Sequence, residues 1–485
     1  MNDRDYLKIL LVHPLGYKKE AAEADVSRMA TIMPPLGLAG IAAYLEREGI
    51  GAHIIDCYAH PESDLAISRY LLEKRPAFIG LSCTTSGFLD GVRIATMAKG
   101  ICPDIKAIFG GHHISAIGER IPEDFPVVDY CVTGEGEVTL TELIKSRGEN
   151  AASIQGLIYR DGQNGASFTG HRANIADLDA LPFPAYEKLE GYPGAYKLPI
   201  FSYPHTPNAS CISSRGCPYA CTYCDRSVFR KSFRYNSAEY VYEHLAYLKR
   251  HFGVRHINFY DDQFTFNRER IITLTNMMME RSLSMTFNCV VRAEHIDVDI
   301  IRQMKNAGCW MISLGIETGD EGLLACHRKN ADLKMLEEKI CMIKQEGLRV
   351  KGLFMLGLPG ETEESIKKSI KYFLSLPIDD LNVTKFTPFP GSPLYQNIHE
   401  LGEFKEDWEK MDCMHFLFIT KGMTVDILEK YFSRFYRAHF MRIKTLWNYF
   451  TMLWRSPDSW RRFIGNLGGF IRFAKSDKRL GDIDG

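Results

Sequence analysis

Three cysteines lie close together near the middle of the chain, at C-x-x-x-C-x-x-C spacing: Cys217, Cys221 and Cys224. Thiolates are the standard protein ligands of iron–sulfur clusters, and a compact loop could point all three at one cluster. Gly216 and Pro218 favour such a turn over a helix. Three ligands hold three irons of a four-iron cluster and leave the fourth open. The triplet therefore predicts a cluster that can bind and activate a small molecule.

Two other uses of the triplet remain open from the spacing alone. A zinc ion would need a fourth ligand, and His205 and Cys211 are the local candidates. The thiols could also be structural, since a free cysteine is often a small buried core residue.

The triplet resembles the signature of the radical S-adenosylmethionine (SAM) enzymes, C-x-x-x-C-x-aromatic-C, in which Tyr223 supplies the aromatic residue. The resemblance implies that the open iron chelates the amino and carboxylate groups of SAM. It also implies that an electron from the cluster cleaves SAM homolytically to a 5′-deoxyadenosyl radical. The match covers residues 208–390, with a weaker one over residues 7–144.

The sequence after the triplet alternates between strand-like and helix-like segments. The strand-like runs occupy residues 256–260, 286–291, 310–316, 350–356 and 382–386. The helix-like stretches occupy residues 238–251, 268–280, 299–306, 333–346 and 363–374. Polar residues follow most of the strand-like runs, where a barrel places its site. This pattern agrees with the partial (β/α)6 TIM-type barrel that the resemblance implies.

The resemblance assigns SAM contacts to residues at these strand ends and in the cysteine loop: Tyr223, Asp261, Asp262, Arg292, Glu317, Gly357, Pro359 and Gly360. The two aspartates would hold the amino group of SAM, Glu317 its ribose, and the glycine motif its adenine. Each has a simpler alternative. Asp261 could cap a helix, Glu317 could pair with an arginine, and the glycines could only turn the chain.

The N-terminal third contains five short apolar runs, at residues 8–12, 52–55, 77–81, 107–109 and 127–132. Helix-like stretches separate the first four runs, at residues 37–48, 64–73 and 89–99. Buried strands alternating with helices predict a doubly wound, Rossmann-like parallel sheet, which binds ligands beyond the carboxyl ends of its strands. The dinucleotide and P-loop glycine motifs are absent from the sequence, which argues against the usual nucleotide ligands. The loops could also be turns without a ligand.

The order of a doubly wound domain, a linker and a barrel resembles the cobalamin-dependent radical SAM subgroup, including its anaerobic magnesium-protoporphyrin ester cyclase branch. Residues 33–38, 110–112 and 134–137 resemble the N-terminal motifs of this group. The resemblance implies cobalamin between the two domains, with contacts from the loops after the strands: Ser82, Thr84, Gly110, Gly111, Gly134 and Glu135.

One motif departs from the classical cobalamin mutases, whose D-x-H-x-x-G histidine ligates cobalt from below. Here Asp56 is followed by His60, two places too late, and no glycine follows at the required position. No cobalt ligand is inferred from this loop. His112 and His113 remain candidates, although a histidine in a turn more often makes an ordinary hydrogen bond.

The subgroup's majority reaction is methylation of an unactivated carbon or a phosphorus, through the 5′-deoxyadenosyl radical and methylcobalamin. The alternatives are a radical oxidative cyclase, which uses the same cofactors, and a non-catalytic metal-binding regulatory protein. The predicted divisions are 1–150 for cobalamin, 151–207 for a linker, 208–395 for the barrel and 396–485 for a mostly helical C-terminal region. The expected partners are a small-molecule or lipid-like substrate and an electron donor such as flavodoxin or ferredoxin.

The composition limits the class of protein. The chain has 485 residues, of which 45% are hydrophobic and 25% charged, with a net charge of -1, which is typical of a globular protein and gives no reason to expect nucleic-acid binding. No signal peptide or membrane-spanning run is recognisable, and the 13 cysteines are an odd number, which predicts reduced thiols in a cytoplasmic protein.

The C-terminal tail differs in charge from the rest of the chain. Residues 430–479 hold 12 Lys or Arg and two acidic residues, a net charge of +10, against −11 elsewhere. A stripe at 3-4 spacing from Phe432 to Trp454 predicts one amphipathic helix. Packing of this stripe on the barrel is the favoured interpretation. Peripheral contact with an anionic membrane is the alternative.

Overall fold

The computed structural model describes residues 8–16, 28, 30–161, 165–329 and 331–468. The first domain contains seven strands: β1 (Lys8–His13), β2 (Gly51–Asp56), β3 (Phe78–Ser82), β4 (Lys106–Gly110), β5 (Tyr130–Val132), β6 (Leu157–Asp161) and β7 (Gly165–Phe168). They form one sheet in the order β2-β1-β3-β4-β5-β6-β7, and the first five strands are parallel. The order 2-1-3-4-5 is that of a doubly wound sheet, whose ligand crevice lies between β1 and β3.

The strands β1 to β4 carry apolar side chains on both faces because helices cover both sides of the sheet. These helices are α1 (Leu36–Arg47), α2 (Ser63–Lys74), α3 (Phe88–Ile101), α4 (His112–Ile117), α5 (Arg120–Asp124) and α6 (Gly136–Lys145). The bounds of β1 to β4 lie within two residues of the predicted ones. β5 is shorter than predicted because the chain turns at residues 126–127, where the Val128 N–H donates to the Phe125 carbonyl at 3.0 Å. Asp129, immediately before β5, uses its side chain to accept the Ala107 N–H at 2.8 Å.

The hairpin β6–β7 was not predicted, because residues 151–207 were assigned to a linker. β6 pairs antiparallel with β5, and β7 pairs antiparallel with β6. The sequence did contain a signal, since Asp-Gly and Asn-Gly dipeptides at residues 161–165 are typical of hairpin turns. We therefore propose that the first domain extends to about residue 170 rather than 150.

The second sheet has six parallel strands and forms the curled half-barrel that the sequence predicts. Its strands are β8 (Asn208–Cys211), β11 (His256–Phe259), β12 (Thr286–Val291), β13 (Cys309–Glu317), β14 (Arg349–Leu356) and β15 (Asp380–Lys385), paired in this order. The helices between them are α7 (Ala238–Phe252), α8 (Arg268–Glu280), α9 (Val298–Asn306), α10 (Glu321–Cys326), α11 (Leu333–Gln345) and α12 (Glu363–Ser375). The predicted fold class is therefore confirmed for both domains.

A small hairpin supports the cysteine loop. β9 (Ser214–Gly216) pairs antiparallel with β10 (Phe233–Tyr235). The two ends of the cysteine loop are therefore held side by side. Gly216, immediately before the first cysteine, has φ +82°, and a Cβ there would collide with the Ser232 carbonyl. Only glycine fits at this position.

The C-terminal region contains the hairpin β16 (Gly402–Phe404) and β17 (Phe418–Thr420), and the helices α13 (Ile398–Leu401), α14 (Val425–Phe440), α15 (Ile443–Arg455) and α16 (Pro457–Gly465). The prediction of one helix over the stripe is wrong, because the chain breaks between α14 and α15. α14 buries Leu428, Tyr431 and Phe435 against the barrel. Residues 469–485, the end of the predicted tail, lie outside the described residues. None of the described helices has the length and apolar character that crossing a membrane would require.

A buried network of charges joins the two domains. Arg215 on β9 donates to Glu135 at 2.5 Å and to Glu137 at 2.6 Å, and Arg234 on β10 donates to Glu135 at 2.9 Å. The side chains of both glutamates are only 5% exposed. The Glu135 carboxylate also accepts the Ile175 N–H at 2.7 Å. Because Arg215 lies two residues before the first cysteine, this network sets the position of the cysteine loop against the first domain.

We predict that Arg215→Met lowers the free energy of unfolding by about 3 kcal/mol, because the Glu137 carboxylate is left buried without its cation. The matched control is Arg302→Met, which removes an exposed ion pair with Glu346 at 2.8 Å and should leave the unfolding midpoint nearly unchanged. Urea unfolding followed by circular dichroism measures both. Equal shifts in the two variants would show that the network does not stabilise the fold.

Candidate active site between the two domains

A cavity of about 690 Å³ lies between the carboxyl ends of the two parallel sheets. Its volume is within the range of cofactor and small-molecule pockets. The first domain supplies one wall and the barrel supplies the other. Because both sheets present their carboxyl ends, the two predicted ligand regions form one site.

All three cysteines of the triplet line this cavity. The Cys224 thiol donates to the Cys221 sulfur, and this hydrogen bond, with a smaller contribution from the nearby Lys329 ammonium, holds the pKa of Cys221 below its ordinary value. The thiolate is the form that binds iron. The loop therefore presents three sulfurs to one space and favours the thiolate of Cys221, whereas burial raises the pKa of Cys217 and the hydrogen bond to Cys221 raises that of Cys224.

The cysteine loop is anchored by a histidine that the sequence analysis did not identify. His327 accepts the Thr222 hydroxyl at Nδ1 (2.9 Å) and donates from Nε2 to the Pro359 carbonyl (2.9 Å). Burial lowers the pKa of His327, so the ring is neutral and can act as both donor and acceptor. The loop is thereby connected to the glycine motif after β14.

The zinc alternative does not fit the geometry. Within the part of the chain that the structure describes, no three His, Cys, Asp or Glu side chains converge on a point that could hold one ion. Cys211, a proposed fourth ligand, lies in the core with its sulfur 3.6 Å from His244 Nδ1. Three sulfurs that line one cavity, with Cys211 buried elsewhere, match the ligand set of a cluster with one open iron.

The two predicted aspartates have different environments. Asp262 lines the cavity, and desolvation there, followed by the charge of Asp261, raises its pKa to about 6. Asp261 does not line the cavity. Its carboxylate accepts the Ser213 N–H at 3.0 Å and the Ser213 hydroxyl at 2.9 Å, as well as the Ser214 hydroxyl. Asp261 therefore holds the start of the cysteine loop from behind the cavity wall.

Glu317 and Lys329 form a buried ion pair in the cavity wall. Their side chains are 2.6 Å apart and are 15% and 8% exposed. Glu317 has φ +66° and lies at a register shift in the β13–β14 pairing, a strained backbone that aims its side chain inward. The alternative of an ion pair with an arginine is therefore correct in kind, but the partner is a lysine, Lys329, which the sequence alone does not indicate. A Cβ at Gly315 would lie 2.8 Å from the Glu317 carboxylate and from the Lys329 ammonium, so a larger residue there would have to displace the ends of these two side chains.

Arg292 lines the cavity as predicted and stacks on an aromatic ring. Its guanidinium lies 3.9 Å from the centre of the Tyr219 ring and donates to Glu294 at 2.6 Å. Tyr219 also lines the cavity, and its hydroxyl hydrogen-bonds His295 at 2.6 Å. Tyr223 also lines the cavity, next to the third cysteine.

The glycine motif after β14 does not line the cavity, in contrast to the predicted contacts from Gly357, Pro359 and Gly360. The Gly357 N–H donates to the Glu361 carboxylate at 2.5 Å, and burial raises the pKa of Glu361 to about 8. The motif is therefore a rigid turn. Its connection to the site runs through the Pro359 carbonyl and His327.

The first domain lines the cavity with many glycines beside apolar side chains such as Leu11, Ile41 and Phe109. Seven glycines line this wall: Gly37, Gly40, Gly80, Gly110, Gly111, Gly134 and Gly136. Gly111 has φ +103°, and a Cβ there would lie 2.6 Å from the Cys83 carbonyl oxygen. At these glycines a ligand can approach the backbone closely. We call these seven residues the glycine wall.

The predicted cobalamin contacts divide between this wall and its surroundings. Ser82, like Glu135, lines the cavity, although Glu135 is used by the charge network. Thr84 does not line it, because its hydroxyl accepts the Gly87 N–H at 3.2 Å within a turn. His112 lines the cavity. His113 is instead buried between Phe88 and Trp408, and neither of its ring nitrogens has a hydrogen-bond partner.

Comparison with known proteins gives two domain matches. Residues 211–373 match the radical SAM superfamily and residues 23–144 match the B12 binding domain. An uncharacterized methyltransferase of Pyrococcus horikoshii is 30% identical over 446 residues, which cover 91% of this chain and 94% of that protein. The anaerobic magnesium-protoporphyrin IX monomethyl ester cyclase of Rubrivivax gelatinosus is 25% identical over 482 residues, which cover 96% of this chain and 82% of that protein.

Solved structures agree with the fold. The radical SAM methyltransferase TsrM of Kitasatospora setae, determined with cobalamin and a 4Fe-4S cluster bound, superposes with a TM-score of 0.66 at 18% identity, covering 81% of this chain and 74% of that one. The family that these matches share is catalytic, which excludes the regulatory alternative. This chain belongs to the cobalamin-dependent radical SAM methyltransferase family, and it is an enzyme whose cofactors are a 4Fe-4S cluster, SAM and cobalamin.

Proposed function

We propose that this enzyme transfers a methyl group to an unactivated carbon of a small molecule, with phosphorus as the alternative acceptor atom. The observation that supports this most directly is the single cavity that both the glycine wall and the cysteine loop line. A group held on one wall and a group held on the other would face the same substrate. Proximity of this kind is the main contribution a protein makes to cofactor chemistry.

We propose that Cys217, Cys221 and Cys224 hold the cluster. When bound, the cluster supplies a reducing electron, SAM supplies the hydrogen-abstracting radical, and cobalamin carries the methyl group. The chain's own residues position these groups. We propose that the Asp262 carboxylate accepts from the SAM amino group and that the Lys329 ammonium, which also pairs with Glu317, binds the SAM carboxylate.

Arg292 and Glu317 complete the proposed SAM site from the strand ends, and Tyr223 does so from the loop. Asp261 and the motif of Gly357, Pro359 and Gly360 act on SAM indirectly, through Ser213 and His327. On the opposite wall, Ser82 and the glycine wall hold cobalamin, while Glu135 keeps that wall in place. Thr84 shapes the turn behind it.

We further propose two partners. Reduction of the cluster needs an external one-electron donor such as flavodoxin or ferredoxin, which would approach the cysteine loop. A peripheral membrane contact through the C-terminal helices is the second. A lipid-like substrate stays a candidate beside a water-soluble one, independently of that contact.

Filling the glycine wall should remove cobalamin and leave the cluster in place. A Cβ added at Gly40 meets no atom within 4 Å, so Gly40→Leu is tolerated by the fold but projects into the cavity. We expect cobalamin content to fall at least about tenfold while iron content is unchanged, measured by absorbance and iron analysis.

Gly100→Leu is the matched control for this prediction. Gly100 is also a helical glycine whose added Cβ meets nothing within 4 Å, and it lies outside the cavity. Cobalamin retained by Gly40→Leu, or lost equally from Gly100→Leu, would contradict the proposed position of the cofactor.

The experiment that tests the reaction uses methyl-labelled SAM. The reduced, reconstituted enzyme is given metabolite extract from a strain that lacks it, and the products are compared with those of the parent strain by mass spectrometry. We expect 5′-deoxyadenosine and a product heavier by one labelled methyl group. Deoxyadenosine together with an unlabelled product that lacks two hydrogens would instead support the cyclase reaction, which the similarity to the Rubrivivax protein keeps as the second candidate.

Two cysteine variants control the same experiment. Cys217→Ala should reduce iron from about four per chain to below about one and abolish both products, because the cluster loses one of three protein ligands. Cys326→Ala, which removes an exposed cysteine outside the loop, should change neither. A full cluster in Cys217→Ala would refute the ligand assignment.

A further inference from the structure

Helix α15 has its polar side against the protein and its apolar side toward solvent. On the inner face, Asn448 donates to Asp379 at 2.8 Å and the Tyr449 hydroxyl donates to Asp380 at 3.1 Å. On the outer face, Ile443 is 84% exposed and Trp447 is 61% exposed. This is the reverse of an ordinary surface helix, which buries its apolar stripe. The favoured prediction that the stripe packs on the barrel is therefore wrong for α15.

The apolar face of α15 continues onto both neighbouring helices. Of the 20 exposed large hydrophobic residues in the described part of the chain, ten lie within residues 440–467: Phe440, Met441, Ile443, Leu446, Trp447, Phe450, Leu453, Trp454, Ile464 and Leu467. We call these ten residues the apolar patch. Monomeric soluble proteins rarely expose so many large apolar side chains together, and such a patch marks an interaction surface.

The surroundings of the apolar patch are strongly positive. Five cations on the same three helices are exposed: Arg434, Arg437, Lys444, Arg455 and Arg461. Asp458 is the only acidic residue in positions 434–468, and its carboxylate accepts the Tyr203 hydroxyl at 2.7 Å. Tryptophan on an apolar face with arginine and lysine beside it is typical of helices that lie in the interface of an anionic bilayer.

The apolar patch lies at the end of the barrel opposite the cavity. The inner face of α15 contacts Asp379 and Asp380, at the amino end of β15. In α16, Arg462 donates to the Leu198 carbonyl and to the Tyr203 hydroxyl, which precede β8. The cavity is formed at the carboxyl ends of the same strands. A surface that contacts the patch therefore leaves the cavity free.

We infer that the apolar patch docks the enzyme on an anionic lipid bilayer, with the active site facing away from the membrane. This inference specifies the membrane contact of the proposed function and does not depend on the reaction catalysed. A second copy of the chain is the less suitable occupant. A two-fold interface would place one positively charged rim against another.

Vesicle flotation tests the inference with the full-length, cofactor-loaded enzyme. The probes are vesicles of phosphatidylcholine alone and vesicles that contain about 30% phosphatidylglycerol. We expect the enzyme to float with the anionic vesicles and to remain largely unbound with the neutral ones. The triple variant Ile443→Ser, Trp447→Ser, Phe450→Ser should bind anionic vesicles about a hundredfold more weakly, because it removes three apolar side chains from the contact.

The matched control replaces three exposed apolar residues elsewhere, Leu65→Ser, Leu72→Ser and Leu374→Ser, which are 75%, 59% and 45% exposed. This variant should float like the wild type. Lys444→Glu with Arg455→Glu should remove the preference for anionic vesicles. SAM cleavage without vesicles should be normal in all three variants, which shows that they are folded and separates this test from that of the reaction.

Three results would overturn the inference. The wild type could fail to float with either vesicle, or the triple variant could float as well as the wild type. Light scattering could also show a wild-type dimer that binds no vesicles and that the triple variant dissociates, which would assign the apolar patch to contact between copies of the chain.

Discussion

The arrangement of this site depends on a buried set of charges. Glu135 ends the loop after β5 and Glu137 lies in the first turn of α6, while Arg215 belongs to β9, the strand that leads into the cysteine loop. Burying such groups is costly unless they have partners, so these ion pairs favour the relative position of the two domains in which they form. The same contact therefore brings the glycine wall opposite the three sulfurs. Neither wall alone could form the cavity.

A second layer of contacts holds the cysteine loop from the barrel side. Asp261 holds its beginning through Ser213, and His327 holds its middle through Thr222. Both are buried polar groups with their partners satisfied, which makes the loop rigid before any cofactor is present. Preorganisation of this kind suits a site that must hold reactive groups in a fixed relation.

Most of the fold and part of the site can be predicted from the sequence, and the rest cannot for physical reasons. Buried parallel strands and amphipathic helices have clear periodic patterns, so their positions were found to within a few residues. The site residues Asp262, Arg292 and Glu317 follow strands, and their direction toward the cavity comes from the barrel topology. Asp261 differs because adjacent residues in an extended segment point to opposite sides, which a linear motif does not reveal.

The residues that were missed are those whose role depends on contacts distant in sequence. Lys329 comes 12 positions after the glutamate it pairs with, and His327 acts on a threonine 105 positions earlier. The helix α15 carries the same 3-4 spacing as a core helix, so its pattern alone could not tell which face is buried. Its inward polar contacts become visible only with the barrel end in place.

The hairpin β6–β7 has a consequence for the behaviour of the protein during folding. Without it, β5 would end the sheet and leave a row of unpaired backbone groups beside the cofactor crevice. Such an edge is a template for strands of other molecules, and therefore for aggregation. The hairpin moves the free edge outward to β7, a four-residue strand that begins with Gly165. A short, glycine-containing strand offers few backbone groups to a strand of another molecule. The cofactor-free protein is therefore less prone to aggregate through this edge of the sheet.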